Sequence, residues 1–325
     1  MIYILFDYPN RGNGPSFIRQ GLGLDKAKEI YSDLTGNGKN LRHWLRGCLK
    51  AIRSSTKDDT LVCWFDFQAV LCFFMTRVLF AHRKIICVNL MLKDKPTLRN
   101  RLVSAMYKRA LQSNDFTASV TSVEYGKWLN RKLHIHTKYT LIHDVFYNSY
   151  ILPKKEPVIA NSVFCGGRNG RDWDFMMKVA KEMPNVKFNI VMPNDVRDRY
   201  AGNALNNIHI RSNIPLKEFL KEMSRSALVC LPLDTEAPAG LIVLFQAAAN
   251  RKMVITSDTA TTKEYVTEGS GERLPRDVKA WKHIITYYLE HPDEAEIKAN
   301  NLYEYLQEEC SENKFINSLK KMIQQ

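Results

Sequence analysis

Residues Ser226 to Val266 read SALVCLPLDTEAPAGLIVLFQAAANRKMVITSDTATTKEYV. A buried-strand run, Ala227–Leu233, gives way to an acidic loop bearing proline and glycine. The loop opens straight into an apolar helix, Leu241–Ala249, and a second strand, Met253–Thr256, follows at once. Strand, loop, helix and strand in immediate succession is the unit of an open α/β sheet. It puts the loop at the carboxyl end of a strand and the amino end of a helix, where such sheets bind ligands and where anions are favoured. Asp234, Glu236 and Gln246 flank the turn.

The same alternation runs through the whole chain. In the first half, strands are expected over MIYILF, Thr60–Phe65, Lys84–Leu90, Phe116–Val120 and Tyr139–Ile142. Helices are expected within Pro15–Leu34, over Asn40–Ser54, Phe67–Phe80 and Leu98–Leu111, and from Val123. The Asn40–Ser54 helix is amphipathic, with Leu41, Trp44, Leu45, Cys48, Leu49 and Ile52 on its apolar face. The charged, proline-bearing segment Ile151–Pro157 reads as a linker, after which a second α/β series begins and ends in polar helices from Asp277. The expected fold class is therefore α/β, with an N-terminal Rossmann-like domain over 1–152 and a second over 153–325, doubly wound and facing a cleft. The final helices are free to pack back on the first domain.

With 325 residues, 45% hydrophobic and 25% charged, the chain has the composition of a soluble globular protein with two full cores. Seven scattered cysteines with no C-x-x-C pair read as reduced core thiols. The apolar N-terminal strand has no basic region before it and is too short for a signal peptide. No apolar run reaches the ~18–20 residues that span a bilayer. The expectation is a cytoplasmic protein. Residues 1–152 hold 23 Lys and Arg against 11 Asp and Glu, whereas residues 153–325 hold 24 against 23, so nearly all of the +13 sits in the first half. A field of that sign draws anionic partners, and the helix residues Arg42, Trp44, Arg46, Lys50, Arg53, Arg99, Arg101, Lys108 and Arg109 suit an anionic membrane surface. A solubilising basic face is the plainer alternative.

In the second half, FCGGRNGRDWDF ends a strand in Gly166-Gly167 and carries Arg168 and Arg171 on the loop that follows. Glycines let the backbone approach a ligand, and arginines supply charge and paired donors for phosphate. Two arginines on a surface turn are the alternative. Asp172-Trp173-Asp174 spells D-x-D, which some metal-using transferases carry, but here it opens a helix, where aspartate is favoured as a cap. In the first half, the loop Asp7–Phe17 with Gly12 and Gly14 admits a ligand or is a tight turn. It lacks dinucleotide G-x-G-x-x-G spacing. Asp66, Asn89 and Lys93 end or follow strands at the same sheet edge.

The ordered pieces GGRNGRD, IPLKEFLKEMSRSALVCLPL, EAPAGLIVLFQAAANRKMVITSD and KEYVTEGSGERL resemble the donor-binding domain of GT-B fold glycosyltransferases of group 1, also called family 4. The resemblance covers residues 158–300; the first half is similar in pattern only. It implies transfer of a sugar, with retention, from a nucleotide-sugar held by the second domain to a hydroxyl acceptor held mainly by the first. The acceptor would be a carbohydrate or polyprenyl-linked glycan in cell-surface polysaccharide synthesis at the inner membrane face. Neither a metal nor a further cofactor is implied, and no nucleic acid. Arg168 and Arg171 match the positions that neutralise the donor diphosphate. Glu236 is the nearest carboxylate to the family's acidic position. The donor would also meet Gly14, Gly167, Asn213 and Ile214, the backbone at Ala239, Gly240 and Leu241, and Gln246.

The chain departs from the family's Glu–seven residues–Glu signature. Gln246 stands at the second position and Pro238 at the first, with Glu236 two residues earlier. An amide can still bond ribose hydroxyls. The alternatives are a catalytically degenerate scaffold of the same fold, a basic α/β protein that binds nucleic acid, and, less well matched, an epimerase.

Overall fold

The computed structural model describes residues 1–7, 16–33, 41–92, 97–154, 156–200 and 205–325. The chain forms two compact units, Met1–Val145 with Ser311–Gln325, and Phe146–Cys310. Each is built on a six-stranded parallel sheet.

In the first unit, strands β1 (Ile2–Phe6), β2 (Ala27–Tyr31), β3 (Thr60–Cys63), β4 (Lys84–Cys87), β5 (Phe116–Val120) and β6 (Thr140–Leu141) lie in the order β2-β1-β3-β4-β5-β6. The central strands are continuous apolar runs because both faces are covered. Helices α2 (Leu41–Ser54), α3 (Asp66–Val78), α4 (Leu98–Leu111) and α5 (Val123–Leu133) return the chain in one direction along the sheet, so right-handed crossovers place them on one face. There they pack side by side. Helix α1 (Ser16–Leu22) reverses the direction and lies on the other face, against the C-terminal helix α13 (Glu312–Gln324). Of the final helices, only α13 joins this unit.

Two sequence expectations change here. The segment expected to contain a helix within Pro15–Leu34 also contains β2, an edge strand with an irregular burial pattern. The buried face of α2 is Gly47, Cys48, Ala51 and Ile52, while Leu41 and Leu45 are exposed. Gly47 causes the rotation: a Cβ there would collide with Ser32 Oγ, so the glycine lets this side of the helix sit against the end of β2. All seven cysteines are buried and none is in a disulfide.

The second unit contains β7 (Ile159–Gly166), α6 (Trp173–Lys181), β8 (Lys187–Met192), α7 (Asn194–Arg197), β9 (Ile208–Ser212), α8 (Leu216–Arg225), β10 (Ser226–Leu231), α9 (Leu241–Ala249), β11 (Met253–Ser257), α10 (Thr262–Tyr265), β12 (Glu272–Leu274), α11 (Val278–Glu290) and α12 (Pro292–Glu309). Its strand order is β12-β11-β10-β7-β8-β9. The order reverses between β7 and β10, which makes their carboxyl ends the topological switch point. One core lies under α6 and α11, including Trp173, Met176, Trp281 and Ile285. Another lies under α9 and α12, including Leu244, Phe245, Leu302 and Leu306.

The unit begins before the Ile151–Pro157 segment read as the linker. Phe146 packs its ring on Phe245 and Tyr303 at 6.1 and 5.7 Å. Asn250 accepts from Leu152 N at 3.2 Å and donates to Tyr150 O at 2.9 Å. These long-range contacts tie residues 146–152 to the second core. No helix among the described residues is long and apolar enough to cross a membrane.

Candidate functional site

Two loops meet at the switch point. One follows β7 and runs from Gly166 to Asp172; the other follows β10 and leads into α9. Arg171 and Leu233 form an antiparallel bridge between them. Asp172 N donates to Pro232 O at 3.0 Å and Asp234 N to Gly170 O at 3.1 Å. The backbones can close this tightly because of two glycines. Gly167 has φ +128° and a Cβ there would lie 2.6 Å from the Arg171 guanidinium, and Gly240 has φ +84° with its Cβ position 3.1 Å from the same group. Both demand a residue with no side chain.

Arg171 is thus sandwiched between the two turns and only 6% exposed. Its Nε donates to Gly166 O at 2.9 Å and its Nη1 to Asn169 O at 3.1 Å. No carboxylate lies within ion-pair distance of it among the described residues. Burial pulls its pKa down to about 10, opposed by Cys165 and by the more distant Asp234. It remains charged at neutral pH. Directly beside it, Gly240 caps α9 without any side-chain hydrogen bond to the first turn. The N–H groups of that turn are left for a ligand, and the helix dipole favours an anion there. A buried cation and a helix start that lacks a side-chain cap therefore converge on one point.

Next to this point is a pocket of about 240 Å³ lined by Gly167, Arg168, Asn213, Ile214 and Gln246 together with Met192, Pro193, Leu216 and Phe219. It brings together five of the residues expected from sequence. Arg168 is exposed and its Nη2 reaches Asn213 Oδ1 at 3.5 Å. Gln246 is 4% exposed, yet its side-chain amide makes no hydrogen bond with the described protein. A side-chain amide in a pocket wall carries both a donor and an acceptor. Phe219, which the sequence reading left out, forms the apolar floor. Its ring would lie 2.7 Å from a Cβ at Gly166.

Other expectations are displaced. Glu236 does not line the pocket. Its Oε2 accepts from Ala260 N at 2.6 Å and its main-chain oxygen accepts from Thr261 Oγ1 at 2.9 Å, so it fastens the loop to the turn before α10. Asp172 caps α6, accepting from Phe175 N at 3.1 Å, and pairs with Arg276. Asp174 accepts from Tyr200 OH. In the first unit, Asp66 accepts from Phe67 N and Met91 N, and Asn89 bonds Ser119, so both cross-link loop ends. Gly14, with Gly12 and Lys93, lies outside the described residues. The structure adds a polar group at the carboxyl ends of β1 and β2. Asp7 accepts from Trp44 Nε1, and Asp33 lies 3.4 Å from His43 Nδ1. His43 was not singled out in the sequence because Asp33 follows the strand that was missed.

Residues 168–317 match the glycosyl transferase-like family. Solved structures with the same fold include sucrose-phosphate synthase from Thermosynechococcus elongatus, 14% identical over 99% of this chain and 98% of that one, with a TM-score of 0.77. HepE from Anabaena, solved with UDP and glucose, is 12% identical over 99% of each chain, with a TM-score of 0.71. WaaG, a glycosyltransferase involved in lipopolysaccharide biosynthesis, is 12% identical over 99% of each chain, with a TM-score of 0.70. No curated protein matches the chain by sequence. The fold is that of the GT-B glycosyltransferases, and the resemblance to group 1 seen in the second half coincides with the family match.

Proposed function

We propose that the chain is a glycosyltransferase that takes a sugar from a nucleoside-diphosphate sugar and passes it to a hydroxyl acceptor. The observation that carries this reading is Arg171, a buried guanidinium with no carboxylate at ion-pair distance among the described residues, beside the start of α9, whose cap makes no side-chain hydrogen bond. A diphosphate suits this pair, because its oxygens accept from both a guanidinium and main-chain N–H groups. Its oxygens would meet the helix N–H groups and the two arginines, and Gln246 would bond the ribose hydroxyls. As the glycosidic bond breaks, negative charge develops on the leaving diphosphate, and a fixed cation in a water-poor site stabilises it more than water could. The neutralising charge then comes from Arg171 and Arg168 in place of a metal. Retention follows from the resemblance to group 1, with the leaving phosphate positioned to take the acceptor proton.

The acceptor is proposed to be a carbohydrate or lipid-linked glycan in cell-surface polysaccharide synthesis. The part played by WaaG in lipopolysaccharide biosynthesis supports this. The outer helix layer of the first unit supports work at an anionic membrane surface. Helix α3 leaves Phe67, Leu71 and Phe74 half-buried and exposes Val78 at its end, and Leu79 and Phe80 beyond it are exposed, Phe80 by 90%. On its two sides, α2 exposes Leu41, Arg42, Leu45 and Arg46, and α4 exposes Leu98, Arg101, Leu102 and Arg109. Apolar groups flanked by arginines suit the boundary of headgroups and acyl chains.

Incubation with UDP-, GDP- and dTDP-sugars, with release of the nucleoside diphosphate followed, tests the donor reading. One donor should be turned over and the release should fall at least tenfold in Arg171→Ala. If no donor is consumed and none shifts the melting temperature at millimolar concentration, the reading fails. NMR of the product's anomeric proton separates retention from inversion.

A further inference from the structure

Among the apolar side chains that the first unit exposes, Phe80 carries two costs at once. It is 90% exposed, and Val78 and Leu79 before it are 75% and 47% exposed. It also has φ +50°. The left-handed region is unfavourable for a bulky residue, and an aromatic ring left in water forgoes the gain of burial.

The hydrogen bonds show why the backbone turns there. Phe80 N donates to Arg77 O at 3.2 Å and Ala81 N to Thr76 O at 2.8 Å. This pair of bonds closes a helix at a left-handed residue, and glycine is the residue that suits the position. A glycine at position 80 would relieve the backbone and remove the exposed ring together. The chain instead holds a phenylalanine out from the end of α3, just before β4 opens at Lys84.

Both neighbouring helices bring basic residues to this edge of the sheet. Arg77 Nη2 donates to Ser113 Oγ at 3.0 Å and pairs with Asp115, which holds the exit of α4 beside the tip. Arg83 Nε donates to Ser55 Oγ at 3.1 Å and its Nη2 to Ser55 O at 2.8 Å, which holds the exit of α2. The last turn of α2 carries Arg53, and that of α4 carries Lys108 and Arg109. Of the acids here, Asp115 is paired with Arg77, Asp59 with the amino terminus, and Asp58 follows Lys57. An apolar tip therefore stands within a ring of surplus positive charge.

We infer that Val78–Phe80 is an insertion wedge for an anionic bilayer, with Phe80 entering the acyl region while the exposed Arg53 and Arg109 meet lipid phosphates. An apolar point flanked by arginines matches the boundary of headgroups and acyl chains. A stable protein interface needs roughly 800 Å² on each partner. Three apolar side chains ringed by cations fall well short of that, whereas a bilayer takes up a single ring. The inference rests on the membrane reading of the first unit and adds the side chain by which the bilayer is entered.

Sedimentation of the full-length protein with phosphatidylcholine vesicles containing about one-third phosphatidylglycerol tests it. Phe80→Gly should bind about tenfold more weakly than the parent while its melting temperature is unchanged or raised. Phe80→Trp should bind like the parent, and acyl-chain bromines should quench its emission beyond the quenching of the parent's own tryptophans. Parent-like binding by Phe80→Gly, or no added quenching in Phe80→Trp, overturns the inference and leaves the membrane reading standing. A parent that sediments with no vesicle overturns both. Self-association of the parent that Phe80→Gly abolishes assigns the tip to a second copy and also overturns the inference.

Discussion

Arg171 costs the ligand-free protein stability, because a guanidinium that is 6% exposed has lost most of its water and gained only two carbonyl partners. Such a charge is tolerated where a ligand completes it. Replacing it with methionine should weaken nucleoside diphosphate binding by roughly ten- to a hundredfold, the worth of a charged hydrogen-bonded contact. Arg168→Ala, at an exposed position, should cost less than tenfold; calorimetry on the two variants checks the ranking. Gln246 gives a cleaner separation of stability from binding. Its amide has no partner in the described protein, so Gln246→Leu should leave the melting temperature unchanged or raised while UDP binds about tenfold more weakly. The residue types at Arg168, Arg171 and Gln246 were visible in the sequence because each sits at a fixed distance from a glycine turn or a helix start. The fate of Glu236 was not visible. Its carboxylate is spent on Ala260 N, 24 residues along the chain, and no local pattern encodes that partner.

Helix α9 was readable to its last residue, since an unbroken apolar run bounded by Gly240 and Asn250 leaves one solution for its ends. Strand β2 was not, because five residues with two charges at a sheet edge carry no apolar period. The face of α2 was misjudged because apolar periodicity ignores backbone approach, and Gly47 outweighs Leu41 and Leu45 in deciding which side packs. The two site turns depend on backbone shape more than on side chains. Gly240→Ala would force a Cβ into a left-handed residue touching Arg171, and should lower stability by about 1–3 kcal/mol and reduce nucleotide affinity with it. Denaturant unfolding and UDP titration on the same variant measure both. Gly47→Val should destabilise the first unit by steric conflict with Ser32 while leaving the donor pocket's residues untouched.

Across the whole molecule, charge separates the units: the first is basic and the second nearly neutral. Vesicle sedimentation should show binding to membranes with about one-third anionic lipid, lost with added salt and in Leu98→Ser/Leu102→Ser, and little binding to neutral vesicles. The first unit also carries a pH-sensitive group. Burial raises the Asp144 carboxyl to about 6. Its folded pKa lies above the unfolded value, so its favourable contribution is present below about pH 4 and is lost as pH rises through about 6. Asp144→Asn should therefore gain stability relative to the parent at pH 7 and not at about pH 4, as urea unfolding at both pH values would show. The two-unit architecture was legible from alternation alone, whereas the boundary at Val145 depends on Asn250 and Phe245 holding residues 146–152 to the second core. The most direct measurement is calorimetric titration of the full-length chain and its Arg171→Met variant with a panel of nucleoside diphosphates and their free nucleosides. The expected result is saturable binding of at least one diphosphate, far weaker binding of its nucleoside, and a loss of at least tenfold in the variant. Equal binding of nucleoside and diphosphate, or a variant that binds as tightly as the parent, would contradict the assignment of the switch point as a donor diphosphate site.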